Sequence, residues 1–340
     1  MDRAAPLFAE RRDASRLIGF PHVSLERIGE AAGSEPRPAE ADTTLAFSVV
    51  IPTYGRPQAL RSCLESLAAQ QYPRSRFEVV VVDDGSAIPA APITEEYDDR
   101  LQVRVRRQAN AGPAAARNQG GMSARGCYIA FIDDDCVAEP GWLRGFESAF
   151  RAHPRGTLLG GDIANPFADN VYAEVGELIL NVLLDSYRPE PGGVYFFRTA
   201  NLAVRADEFR ACGGFDPTFE TAEDREFCDR WLDGGGSLVR VPPAAATHFS
   251  PLDLRGFIHR HYRYGRGAYR FHRLRRNRGS GRFRLQFLWF YLFVMQACLA
   301  SRRRVLRKAA LVFLWQACNV AGFVAEFLSE RRGAATHQYA

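Results

Sequence analysis

Three groups of acids have the types and spacing for chemistry. Asp133-Asp134-Asp135 closes the apolar run CYIAFI. Three like charges at the end of a buried strand need compensation, and a divalent cation with oxygen ligands supplies it. Mg²⁺ or Mn²⁺ typically takes one or two carboxylates and fills its shell with water and substrate phosphates. This cluster is therefore a metal–diphosphate candidate, although a solvated acidic turn explains it in isolation. Asp83-Asp84-Gly85-Ser86 ends a second apolar run, FEVVVV. Carboxylates there suit a base N–H or ribose hydroxyls; alone, a simple Asp-Gly turn is the plainer reading. Glu223-Asp224 opens the stretch EDREFCDRWLDGG. Acids in the first turn of a helix complement its dipole.

These acids need a frame. FSVVIP (47–52) is a short apolar, β-branched run and reads as a buried strand. PQALRSCLESLAAQ (57–70) repeats Leu60, Leu64 and Leu67 at helical spacing behind Pro57. FEVVVVDDGS (77–86), LQVRVRR (101–107) and CYIAFIDDD (127–135) are further strands, and GPAAARNQGGMSA (112–124) is an alanine-rich helix between the last two. Continuous apolar strands alternating with helices predict a mostly parallel sheet covered on both faces. Ligands of such sheets bind beyond the carboxyl ends of the strands. The tips PTYGR, DDGS and DDDC should then meet in space. Farther on, 223–235 reads as a helix and SLVRVPP (237–243) as an extended run, with less regular chain between. Residues 1–44 read as a weakly ordered leader; its start lacks the continuous apolar core of a secretory signal.

The ordered set VVIPTYGRP, VVVVDDGS, NAGPAAARNQG, YIAFIDDDC and EPGWL resembles family 2 glycosyltransferases from Phe47 to about His248. The resemblance implies the GT-A fold, an α/β nucleotide-binding fold, over 45–250. It implies a nucleotide pocket at Pro52, Thr53, Tyr54 and Arg56, with Asp84, and less directly Asp83, holding the base. Asn110, Gly112 and Arg117 would line base and phosphates. Asp133 would approach ribose or sugar, Asp135 would hold Mn²⁺ or Mg²⁺ on the diphosphate, and Asp134, the middle acid of the set, would lie among the nucleotide-sugar contacts. Asn201 and Gly213-Gly214-Phe215-Asp216 would shape the donor-sugar and acceptor side. Asp224 matches the family's general base, with Glu223 beside it, and His248 a histidine near metal or diphosphate. The implied reaction is transfer of a sugar from a nucleoside-diphosphate sugar, UDP by family frequency, to a hydroxyl with inversion. Processive members carry Gln-x-x-Arg-Trp after the base. Trp231 stands in DRWLD without that glutamine, so one sugar is expected per acceptor. A sugar-nucleotide pyrophosphorylase would need a glycine-rich, Arg/Lys-bearing first strand end, which PTYGRPQAL is not. A degenerate nucleotide-sugar-binding scaffold is the remaining alternative, and the intact acids speak against it.

The chain has 340 residues and 46% hydrophobic composition, enough for a sizeable core and too apolar for wholesale disorder. Its charge is divided. Residues 1–253 hold 26 basic and 37 acidic residues, a net of −11; residues 254–340 hold 18 and 2, a net of +16. That asymmetry points to a polyanion, and an anionic membrane surface fits better than nucleic acid. LQFLWFYLFVMQACLA (285–300) and AALVFLWQACNVAGFVAEFL (309–328) are apolar stretches around the basic SRRRVLRK. Because every flank is basic, a helical hairpin lying in the interface is expected, with Trp289, Phe290, Tyr291 and Trp315 at the acyl boundary. The competing expectation is a soluble hairpin that packs on the catalytic domain or forms a homodimer. The location implied is cytoplasmic, at the inner face of the cell membrane. Seven cysteines, an odd number without a CxxC, argue against a disulfide framework or zinc site.

Overall fold

The strands are continuous apolar runs because they are covered on both faces. In β1 (Phe47–Thr53), Val49 and Ile51 point into one core and Val50 into the other; in β2 (Phe77–Asp83), Val79 and Val81 oppose Val80 and Val82. The first core is closed by α1 (Pro57–Ala68), which buries Leu60, Leu64 and Leu67, and by α4 (Trp142–Ala152), which buries Trp142, Leu143, Phe146 and Phe150. The second is closed by α3 (Pro113–Met122), α6 (Ala206–Ala211) and α7 (Glu223–Asp233), through Ala114, Phe209, Phe227 and Trp231. A Cβ on Gly120 would lie 2.4 Å from Val50 Cγ1, so α3 rests on β1 only because that position is glycine.

The computed structural model describes residues 45–166, 170–186, 196–279, 288–300 and 304–337; the expected leader 1–44 and residues 301–303 of the basic loop lie outside the described residues. Among the described residues, eight strands form one sheet in the order β3-β2-β1-β4-β7-β6-β8-β5. Here β3 is Val103–Arg107, β4 Tyr128–Ile132, β5 Cys136–Ala138, β6 Thr157–Ala164, β7 Asn201–Arg205 and β8 Ser237–His248. Pairs β1/β2, β1/β4, β2/β3 and β6/β8 are parallel; β4/β7, β6/β7 and β5/β8 are antiparallel. The mostly parallel reading therefore holds at the N-terminal side. Where the chain was expected only to turn less regular after the fourth strand, the described residues from Cys136 to Thr221 form three strands and three helices, including α5 (Val171–Ser186). Short α2 (Ala91–Glu95) follows β2.

Beyond His248 come α8 (Leu254–Arg278), α9 (Leu288–Ala300) and α10 (Val305–His337). Among the described residues the extension is three helices, the basic α8 followed by the apolar pair α9 and α10. Phe290, Val294 and Cys298 of α9 and Leu311, Val312 and Trp315 of α10 share a core with Val175 and Ile179 of α5 and Phe257 of α8. Phe290 and Trp315 are thus buried, not at an outer boundary, and the Trp289 side chain lies outside the described residues. Lys308 is fully buried and pairs with Glu174 of α5. The described cysteines are all free thiols.

Candidate active site

The tip of β2 is a hydrogen-bonded knot. Asp83 accepts from Ser86 N at 2.8 Å through one oxygen and from Ala90 N at 3.1 Å through the other. Burial opposes its ionisation, but these bonds and Arg107 hold its carboxyl below the usual aspartate range. Asp84 accepts from Gln108 Nε2 at 2.7 Å and from the amides of Ala111 and Gly112, both at 2.9 Å. Gly85 makes this possible: its φ is +84°, and a Cβ there would stand 2.9 Å from Asn110 N. Asp84 thereby folds the Asn110–Gly112 segment over the tip. Asn110 is exposed, and Gly112, at φ +89°, leads into α3. Asp83 is only 1% exposed, with both oxygens engaged inside its own turn. It shapes the loop beneath the opening instead of lining it.

At the tip of β4 the three acids diverge. Asp134 is fully buried; Thr53 Oγ1 donates to it at 2.7 Å and Arg56 pairs with it at 2.7 Å. Burial pushes its carboxyl up to about 7 against the pull of Arg56 and Thr53. Asp134 and Thr53 therefore face each other under the site, with Pro52 buried in the strand behind them. This differs from the expected contact with nucleotide sugar: the middle acid joins β4 to β1. Tyr54, 56% exposed, stands at the mouth.

Asp135 points the other way. Arg56 Nη1 donates to its Oδ2 at 2.6 Å, and its Oδ1 lies 3.2 Å from His248 Nε2. The two residues are brought together by β5/β8 pairing, which sets Cys136 opposite His248, and by the Phe249 N to Asp135 O bond of 2.7 Å. Burial opposes ionisation of Asp135, yet His248 and Arg56 outweigh it and hold the carboxyl below its ordinary value. Oδ1 is buried and accepts no well-aligned hydrogen bond. Asp135, Cys136 and His248 offer donor atoms within 4.8 Å of one another. The Cys136 thiol is buried and pushed well up, so it stays protonated and is a poor ligand. One carboxylate oxygen and one imidazole nitrogen remain, a donor pair that fits a divalent cation whose other ligands are water and phosphate oxygens.

Asp133 turns toward α3. Arg117 Nη2 donates to its Oδ1 at 2.5 Å, and Arg117 Nη1 donates to Glu223 Oε1 at 2.9 Å. The guanidinium is 4% exposed and bridges the strand tips to the start of α7. The chain enters α7 through Ala222 at φ 71°, a left-handed conformation that costs a non-glycine residue about 1 kcal/mol. Burial raises the Glu223 carboxyl to about 7, with the neighbouring Asp224 charge adding to the rise and Arg117 opposing it. Asp224 is also raised, by burial first. Its one described hydrogen bond comes from Arg225 N, at 2.8 Å on Oδ1.

Asn201 does not reach this opening. It is 1% exposed; its Oδ1 accepts from Trp142 Nε1 at 2.8 Å and its Nδ2 donates to Asp162 O and Ala244 O at 2.9 and 2.8 Å. The expected donor-sugar contact is instead a tie between β7, β6, β8 and α4. Trp231 is also structural, 1% exposed and bonded to Gly156 O. Two residues escaped the sequence reading. The Arg198 charge acts on both Asp224 and Cys136 while Nη1 bonds Glu177 Oε1 at 2.9 Å. The Tyr264 hydroxyl of α8 is pushed up, by burial first and then by the nearby Asp224 and Glu223 charges. The contact of Thr221 Oγ1 with Arg263 O brings α8 alongside this loop. A basic residue three positions before Asn201 was the available signal for Arg198; Tyr264 had none beyond α8's aromatic content.

The glycosyl transferase family 2 model matches residues 48–192, and the glycosyl transferase family group 2 model matches residues 128–325, more than half of the chain. Among curated relatives, the pre-mycofactocin glycosyltransferase of Mycobacterium tuberculosis is 29% identical over 248 residues, covering 70% of this chain and 50% of its own. The glycosyltransferase AglE of Haloferax volcanii is 29% identical over 214 residues, covering 61% of this chain and 68% of its own. This chain thus spans about half the length of the first of these. The mannosyltransferase PcManGT of Pyrobaculum calidifontis, solved with GDP-Man and Mn²⁺, superposes with a TM-score of 0.58 at 17% identity, covering 86% of this chain and 90% of that one. With family models, relatives and fold in agreement, the chain belongs to glycosyl transferase family 2 and has the GT-A fold.

Proposed function

We propose that this protein transfers one sugar from a nucleoside-diphosphate sugar, with UDP the leading nucleotide, to an acceptor hydroxyl with inversion. Residues 45–250 form the catalytic unit and 251–340 an extension that faces an anionic membrane on the cytoplasmic side, where a lipid-linked acceptor or a cell-surface glycan precursor would be met. One observation carries the reading. Arg117 joins Asp133, at a strand tip suited to the donor, to Glu223, whose neighbour Asp224 pairs with no arginine side chain among the described residues and keeps one carboxylate oxygen without a described hydrogen bond.

Tyr54, Arg56 and the Asn110–Gly112 segment held by Asp84 receive the nucleotide, and Asp133 meets ribose or sugar. Asp135 and His248 hold the divalent cation, which when bound supplies Lewis-acid stabilisation of the leaving diphosphate. The nitrogen ligand favours Mn²⁺ over the strictly oxygen-seeking Mg²⁺. Arg56 fixes Asp135 so that Oδ1 faces His248. Arg117 keeps Glu223 paired. Asp224 then takes the acceptor proton as the hydroxyl attacks the anomeric carbon, a contribution of about 10²–10⁴-fold. A single base opposite the leaving group gives inversion.

Thermal unfolding with UDP, UDP-GlcNAc or GDP-mannose, each with and without Mn²⁺, tests this reading. A ligand at about 100 times its Kd stabilises the folded state by about 2.7 kcal/mol. The midpoint should rise with at least one nucleotide and only when Mn²⁺ is present. No rise with any combination contradicts the reading.

A further inference from the structure

Helices α8 and α10 lie side by side and run the same way. Arg266 and Arg270 pair with Glu326, and Tyr269 and Arg273 with Glu330. Contact is close because Gly265 and Gly322 lack side chains: a Cβ would stand 2.1 Å from Asn319 O or 1.9 Å from Tyr262 O. Another side of α10 packs on α5 and α9. What remains outward is an unbroken apolar stripe at helical spacing: Leu306, Ala310, Phe313, Ala317, Val320, Val324 and Leu328. Leu306 is 88% exposed and Phe313 73%. At 1.5 Å per residue the stripe is about 33 Å long. Arginines stand at both its ends, Arg304 and Arg307 at one and Arg331 at the other.

The stretch Val305–Arg331 is long and apolar enough to cross a bilayer. Its packing opposes that. Gly265 meets α10 at Asn319, midway along that stretch, so crossing would carry Arg260 and Arg263 of α8 into the hydrocarbon, where arginine is strongly disfavoured. A helix with one apolar face and a cationic partner behind it belongs in the plane of the interface.

The N-terminal end of the stripe carries a built feature. A pocket of about 400 Å³ is lined there by Asn170, Tyr172, Asp253, Arg304 and Arg307, with Val171 and Leu252 between. The N-termini of α5, α8 and α10 converge on it, each with a partial positive charge. Arg307 Nη2 bonds Tyr172 Oη at 3.2 Å and its guanidinium lies over that ring. Asp253 is the opposing charge, but its Oδ1 caps α8 by accepting from Gly256 N. The lining thus sets two guanidiniums against one carboxylate, with the α5 and α8 ends already capped by Asn170 and Asp253. Leu306, between the two arginines in sequence, starts the apolar stripe.

We propose that α10 rests on an anionic bilayer through this stripe, with a phospholipid phosphate in the Arg304/Arg307 pocket. This deepens the membrane-facing reading above and is independent of the transfer reaction. The charge balance matches: residues 254–340 hold net +16, whereas the catalytic side, at −11, is repelled by the same surface.

The test is co-sedimentation of the full chain with vesicles of phosphatidylglycerol and phosphatidylcholine, or of phosphatidylcholine alone. Wild type should pellet with the anionic vesicles and keep part of its binding at high salt. Arg304→Gln/Arg307→Gln should weaken binding by about 25-fold, at about fivefold per arginine close to the surface, while the charge-matched Arg106→Gln/Arg276→Gln weakens it less than fivefold. Leu306→Ser, at an exposed position with no core to disturb, should lose the salt-resistant fraction. Equal loss in the two arginine pairs overturns the pocket but leaves the membrane reading standing. Unchanged salt resistance in Leu306→Ser overturns the stripe. Wild type remaining in the supernatant with every vesicle overturns both.

Discussion

The acids on the two sides of the opening are held very differently. On the strand-tip side, proposed above to take the nucleotide, Asp83, Asp84, Asp133, Asp134 and Asp135 are each engaged by arginine, hydroxyl or backbone amide, and Asp83 and Asp135 are held below the ordinary range. On the other side, Asp224 has one described hydrogen bond and a raised pKa. Carboxylates that must position a ligand are fixed before it arrives, so little reorganisation is left for binding. A carboxylate that must accept a proton needs free lone pairs and a pKa closer to the working pH. Arg117 is where the two regimes touch.

The largest expected effect breaks the proton-accepting side. Asp224→Asn should lower turnover by at least about 10²-fold with nucleotide binding nearly unchanged. Normal turnover would move the base to Glu223 or Asp216. Next, Asn201→Ala should lower unfolding stability by about 3 kcal/mol, because Trp142 Nε1, Asp162 O and Ala244 O lose their buried partner. Turnover per folded molecule should stay near wild type; a selective loss of donor binding in denaturant-matched assays would return Asn201 to the site. The smallest effect concerns Glu223. Its folded pKa, about 7, lies above its ordinary value of 4.5. Its contribution to stability is therefore present in full below about 4.5 and declines as pH rises through 7. Glu223→Gln should flatten that part of the stability–pH curve, measured by urea unfolding at pH 5 and pH 8. An unchanged slope would mean that Arg117 fully offsets the burial of Glu223.

Much of the nucleotide side was legible because its signals are local. FSVVIP, FEVVVV and CYIAFI each needed two covered faces, and carboxylates at such strand ends fall at one edge of a parallel sheet. The stretch from 136 to 222 was less legible. β7 is five residues of an antiparallel pair, and the second half of TLLGGDIA in β6 is only partly buried, so neither carries a long apolar run. The helix WLRGFESAFRA did carry a readable pattern in Trp142, Leu143, Phe146 and Phe150. What no local pattern contains is pairing across distance. Arg117 and Glu223 are 106 positions apart, and Asn201 reads alike as a sugar ligand or a core tie until Trp142 is placed beside it. The extension's apolar stretches were visible, but their burial against α5 depends on where the catalytic domain puts that helix.

The pairing of Asp135 with His248 at the nucleotide side is the account's central claim, and calorimetric titration of UDP and GDP with and without Mn²⁺ tests it most directly. Wild type and Asp224→Asn should bind a nucleoside diphosphate in a Mn²⁺-dependent manner, and Asp135→Asn should lose at least about tenfold in that affinity. Binding that ignores Mn²⁺, or that is undiminished in Asp135→Asn, would contradict it.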